Sequence, residues 1–86
     1  SVEGERNTLY REVMSCVESR AAKDAPRWVG LPSSKGVRET ERLWLVYREA
    51  FVQLVTKVRP DADIGPWRVW ITEKRNDMLR LIRSEC

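Results

Sequence analysis

The chain has 86 residues, 42% hydrophobic and 34% charged, so it reads as one soluble domain with one core; it is too apolar for disorder and too charged for a membrane protein. Its longest apolar run, Leu43-Trp44-Leu45-Val46-Tyr47, falls far short of the about 20 residues that a spanning helix needs. The net charge of +3, from 16 basic and 13 acidic residues, is spread with both signs interspersed, the pattern of a solvated surface.

The N-terminal Ser1-Val2-Glu3-Gly4-Glu5 is polar and acidic and does not read as a signal peptide. With no initiator Met, the chain is expected to be a processed form or an excised fragment. A first helix is predicted over about 8–22, with Leu9, Val13, Cys16, Val17 and Ala21 at steps of three and four and Tyr10 and Met14 beside them. Asn7 or Thr8 is the expected cap. The break over 23–36 carries Pro26, Gly30, Pro32, Ser33, Ser34 and Gly36, residues that favour turns. Trp28, Val29 and Leu31 inside it are expected to fold back as an ordered, Trp-containing loop over one end of the core.

The second helix is predicted over about 37–58. Leu43, Tyr47, Ala50, Phe51, Leu54, Val55 and Val58 form its broad apolar face, taken as the core side, with Trp44 at the edge. Leu45 and Val52 are seven apart and lie on the far side. This second apolar patch makes the helix either central in the bundle or a partner-contacting element. Arg59-Pro60-Asp61 ends it, and Asp63-Ile64-Gly65-Pro66 opens a third helix over about 66–84. Trp67, Trp70, Ile71, Met78, Leu81 and Ile82 align there, with Lys74 among them; a short strand over 67–72 is the alternative. The Tyr-Arg-Glu shared by Leu9–Met14 and Val46–Phe51 marks two similar helices, not a repeat array. The expected fold is an all-α three-helix bundle with the second helix central.

Catalysis finds little to work with. There is no histidine and the four glycines are isolated, so the commonest general base and any phosphate-cradling loop are missing. Glu39 with Glu41, and Asp61 with Asp63, read as a solvated helix start and a turn. Two cysteines without histidine exclude a structural zinc site. Cys16 reads as a small core residue and Cys86 as an end-of-chain thiol, with no disulfide expected and an intracellular reducing compartment favoured. No enzyme activity, cofactor or small-molecule substrate is expected.

Twelve of the 16 basic residues are arginine, and there are four tryptophans. Both types are enriched at protein interfaces. The expected partner-binding patch is therefore Leu45 and Val52, rimmed by Glu41 and Arg48 and extended by Trp44 and Trp70. The partner would be another protein or a second copy. A nucleic-acid reading is the alternative, using Arg68, Lys74, Arg75, Arg80 and Arg83, although on one helix these scatter around the axis.

Two stretches resemble known families. Asn7-Thr8-Leu9-Tyr10-Arg11-Glu12-Val13-Met14 is similar to the later half of a KRAB repressor box, whose first half has no counterpart here. Leu9-Tyr10-Arg11 at the start of the first helix also resembles the LYR-motif proteins of mitochondria, and Arg48 with Phe51 is loosely similar to that family's second helix. That resemblance implies an adaptor or accessory subunit docking on respiratory or iron–sulfur assemblies, often with acyl carrier protein. The long break between the first two helices and the acidic Glu39, Glu41 and Glu49 depart from it.

Overall fold

The structure, a computed structural model, describes the backbone of residues 1–24 and 33–86 and the side chains of residues 1–20 and 33–86. It is all-α: α1 Val2–Asp24, α2 Ser34–Val58 and α3 Gly65–Glu85. Residues 67–72 are helical, so the strand alternative falls. The expected Trp28 loop lies outside the described residues.

Capping explains why α1 and α2 begin earlier than their apolar periodicity. The Ser1 hydroxyl accepts from the Gly4 N–H at 3.1 Å, and Glu3 and Glu5 stand in the first turn, where carboxylates favour the positive end of the helix dipole. Asn7 and Thr8, the expected caps, are inside α1, and Thr8 bonds back to the Gly4 carbonyl at 3.1 Å. Ser33 caps α2 by accepting from the Gly36 N–H at 3.0 Å. Beyond α2, the Asp63 carboxylate accepts from the Gly65 N–H at 3.0 Å, and Pro66 follows in the first turn of α3.

Cross-helix contacts fix the topology. Glu12 pairs with Arg83, and Cys16 with Cys86, so α1 and α3 run parallel. Glu49 pairs with Arg68 and Glu41 with Arg75, so α2 runs antiparallel to α3. The closest packing is between α1 and α3, and α2 touches both along one stripe. The second helix is therefore not central, as its two apolar sides suggested. The apolar core holds Leu9, Val13 and Val17 of α1, Val37 of α2 and Leu79 of α3, with Tyr10, Met14, Ile82 and Cys86 against it. Leu79 is fully buried between helices. Leu79→Ala is expected to cost about 3 kcal/mol, read as a lower urea midpoint at unchanged slope.

The cysteines are not free thiols, contrary to expectation. Cys16 and Cys86 form a disulfide with a Cα–Cα distance of 6.2 Å across a separation of 70 residues, within the span that the bond tolerates. Two residues so far apart in sequence carry no spacing signal. The favoured reducing compartment rested on unpaired cysteines, and that ground is removed, since disulfides persist in oxidising surroundings.

The helices are staggered. Glu3, at the start of α1, sits level with Arg48 and Thr72. Among the described residues, the last two turns of α2 and the first turns of α3 extend past it as a two-helix hairpin without a third helix. The molecule accordingly measures 52 × 22 × 14 Å with a radius of gyration of 15.4 Å, against about 12 Å for a compact domain of this length.

Candidate docking surface

The inward stripe of α2 is Val37, Glu41, Trp44, Arg48 and Val52, at steps of three and four. Its centre is charged. The Glu41 carboxylate lies 3.1 Å from an Arg6 guanidinium nitrogen of α1 and 3.6 Å from Arg75 of α3. These are close ion pairs without aligned hydrogen bonds, for neither Glu41 oxygen has a hydrogen-bond partner. The Trp44 ring is shared by three guanidinium groups, Arg48 at 4.9 Å, Arg6 at 5.4 Å and Arg75 at 5.9 Å. Such cation–π contacts strengthen when desolvated. Arg48 also pairs with Glu3 and reaches Thr72 at 3.4 Å.

Burial is the largest influence on the Arg75 guanidinium and pulls its pKa down, with Glu41 opposing it. For Glu3, burial is again the largest single influence and pushes upward. The charges and hydrogen bonds of Arg48 and Arg6 together outweigh it and hold the carboxyl below its ordinary value.

This layer overturns the expected surface patch. Glu41, Trp44 and Val52 are buried, the Arg48 side chain is only 13% exposed, and Leu45 is half-buried. Of that set, Trp70 alone is well exposed, at 45%. The physical reason is pairing. Arg6 and Arg75 point inward from their own helices and need the carboxylate of Glu41, so the stripe bearing it turns in. The signal available in the sequence was Glu41 and Arg48, seven apart with Trp44 between them, on one line with Val37 and Val52.

The face taken as core turns outward instead. Leu43, Tyr47, Leu54 and Val58 of α2 are exposed by 50–70%. With half-buried Phe51 they make a continuous stripe at steps of four, four, three and four. Trp67, Trp70, Met78 and Leu81 of α3 are exposed as well. Phe51 joins the two helices, with its ring 6.2 Å from Trp67 and 5.9 Å from Trp70. Beside it an apolar cleft of about 480 Å³ opens toward the end of the hairpin, lined chiefly by Phe51, Leu54, Val55, Val58 and Trp67.

The basic residues of α3 are not brought together. Arg68 pairs with Glu49, Arg80 with Glu5 and Asp77, and Arg83 with Glu12. Arg75 is buried beneath Trp44, and Lys74 lies 5.7 Å over the Trp70 ring. In the LYR-like tripeptide, Leu9 is buried, Tyr10 packs on the core and Arg11 is exposed. Among the described residues, no cluster of His, Cys, Asp and Glu could hold a metal ion, and no helix is long and apolar enough to cross a membrane. Compared with known protein families, curated proteins and solved structures, the chain matches none.

Proposed function

We propose that this domain is a non-catalytic docking module that binds a polypeptide through the apolar face shared by α2 and α3. One observation carries the reading: the most apolar stripe of the longest helix faces water, while a charged stripe is buried. Exposed apolar patches of this extent mark interaction sites. Aromatic side chains supply large rigid contact area, and Trp67, Trp70 and Tyr47 lie together on this face. Nucleic-acid binding draws less support, because Arg68, Arg80 and Arg83 are already paired with carboxylates and are not free for phosphates.

Site-specific photo-crosslinking tests the reading. A benzophenone side chain at position 54 or 70 is expected to give discrete polypeptide adducts in an extract of the source cells or with the purified chain. One at Arg11 or Glu18, exposed on α1, is expected to give none. Equal labelling at all four positions, or no adduct at any, would sink the proposal.

A further inference from the structure

The exposed apolar face carries unmatched cations at both ends. The pairs Glu41–Arg75 and Glu49–Arg68 set the register of the antiparallel hairpin, so Lys74 stands level with Leu43, and Arg59 closes the other end. Between them the stripe of Leu43, Tyr47, Phe51, Leu54 and Val58 runs about 22 Å. Lys74 rests on the Trp70 ring at one end. At the other, Arg59 lines the apolar cleft, and Lys57 is exposed on the outer edge. Among the described residues none of these three cations lies within ion-pair distance of a carboxylate, whereas Arg42, Arg68, Arg80 and Arg83 each do. The neighbouring acids are engaged or turned away. Asp63 accepts from the Gly65 N–H, Asp77 pairs with Arg80, and neither Asp61 nor Asp63 lines the cleft. Glu73 lies about 100° around α3 from Lys74.

The face offers apolar contact but no backbone partners. Along α2 and α3 the N–H and C=O groups are spent inside the helices. An occupant must therefore satisfy its own backbone, which an α-helix does and a single extended strand does not. Charge narrows the choice further. A second copy would set cations against cations, since turned antiparallel its Lys57 and Arg59 meet Lys74, and turned parallel each meets itself. An anionic bilayer is broader than the stripe and would also meet the exposed Glu85, which is on the same side of α3 as Trp67.

We infer that the polypeptide docked on this face is an acidic amphipathic α-helix of about four turns. Its apolar side chains, at steps of three and four, lie along the stripe and enter the cleft. Its carboxylates stand at both ends, one set on Lys74 and the other on Lys57 and Arg59. This rests on the docking reading above and adds the chemistry of the partner.

Three synthetic peptides of about 18 residues test it. One has leucines at steps of three and four with glutamates at both ends, one has lysines in place of those glutamates, and one scrambles the first. Each is titrated, dye-labelled, into the oxidised chain by fluorescence anisotropy. The glutamate-ended helix is expected to bind about tenfold tighter than either of the others, because each rim pair contributes a few-fold. Added salt should narrow its lead over the lysine-ended helix. Lys74→Glu should narrow that lead about threefold. The chain carrying Lys57→Glu, Arg59→Glu and Lys74→Glu should keep its circular dichroism, since all three side chains are exposed, and should bind the lysine-ended helix more tightly than the glutamate-ended one. Equal affinity for the two ends, a preference that these substitutions leave unchanged, or no binding of the glutamate-ended helix would overturn the inference. So would a reversible dimer, or retention on phosphatidylserine vesicles, that Leu54→Glu abolishes, because the face then belongs to a different occupant. Photo-adducts at position 54 or 70 without any preference between the peptide ends would leave the docking reading standing. Absence of adducts at both positions would remove both.

Discussion

Opening the Cys16–Cys86 bridge is expected to cost the domain about 4 kcal/mol and to lower its thermal midpoint by on the order of 20 °C. The bridge spans 70 residues. Cutting it releases to the unfolded chain the conformational freedom of a loop covering most of its length, and that entropy grows with the logarithm of loop size. The folded state gains nothing in return, because Cys86 already packs on the apolar core and its carbonyl accepts from Arg20 at 3.0 Å. A loss of this size is a large share of the stability of a domain this short. Thermal unfolding followed by circular dichroism, with and without reductant, measures it. The Cys16→Ala/Cys86→Ala chain should melt close to the reduced wild type, since the missing crosslink dominates both. A reduced chain melting within a few degrees of the oxidised one would contradict the prediction.

Glu41→Leu is expected to destabilise the fold by about 3–5 kcal/mol. Glu41 is the only carboxylate close to both Arg6 and Arg75 among the described residues, and all three side chains are at most 10% exposed. Removing it leaves Arg75 in the interior with the Trp44 ring and the Thr40 hydroxyl, and leaves Arg6 with the Trp44 ring and the half-exposed Glu3. Salt relieves this little, because buried charges are poorly screened. The layer holds Arg6, Arg48 and Arg75 against Glu41 and the half-exposed Glu3, so positive charge is already in excess. Arg75→Met should consequently cost less than Glu41→Leu, since it trims the excess and leaves Glu41 paired with Arg6. Replacing all three together, Arg6→Met, Glu41→Leu and Arg75→Met, should restore or exceed the wild-type stability, because the desolvation cost of the ions disappears with them. Urea titrations of the three variants give the order. An Arg75→Met chain less stable than Glu41→Leu would refute the account of this layer.

The helices themselves were legible in the sequence because their causes are local. The stop at Arg59-Pro60 and the start at Gly65-Pro66 act within one turn, and periodicity marks what lies between, whereas capping by Ser1 and Ser33 starts α1 and α2 earlier than that periodicity predicts. The buried face of α1 was legible too, for Leu9, Val13 and Val17 lie on its only apolar arc. On α2 the sequence offers two arcs, and apolar content pointed to the one that is outside; the single stripe on α3 is split, with Ile71 buried and Ile82 against the core while Trp67, Trp70, Met78 and Leu81 are exposed. The choice depends on groups far away in the chain. Arg6 and Arg75 bring buried charges that converge on Glu41, with Arg6 also reaching Glu3, and Arg48 completes the layer around Trp44 through the same Glu3. The Cys16–Cys86 pairing and the stagger that leaves the hairpin uncovered have the same origin. Both follow from the register between helices, a relation of three dimensions that periodicity along one helix does not contain. Local backbone chemistry thus determined that three helices form and roughly where. Which faces are buried, and so which face is left for a partner, was decided by long-range pairing of charge in the tertiary structure.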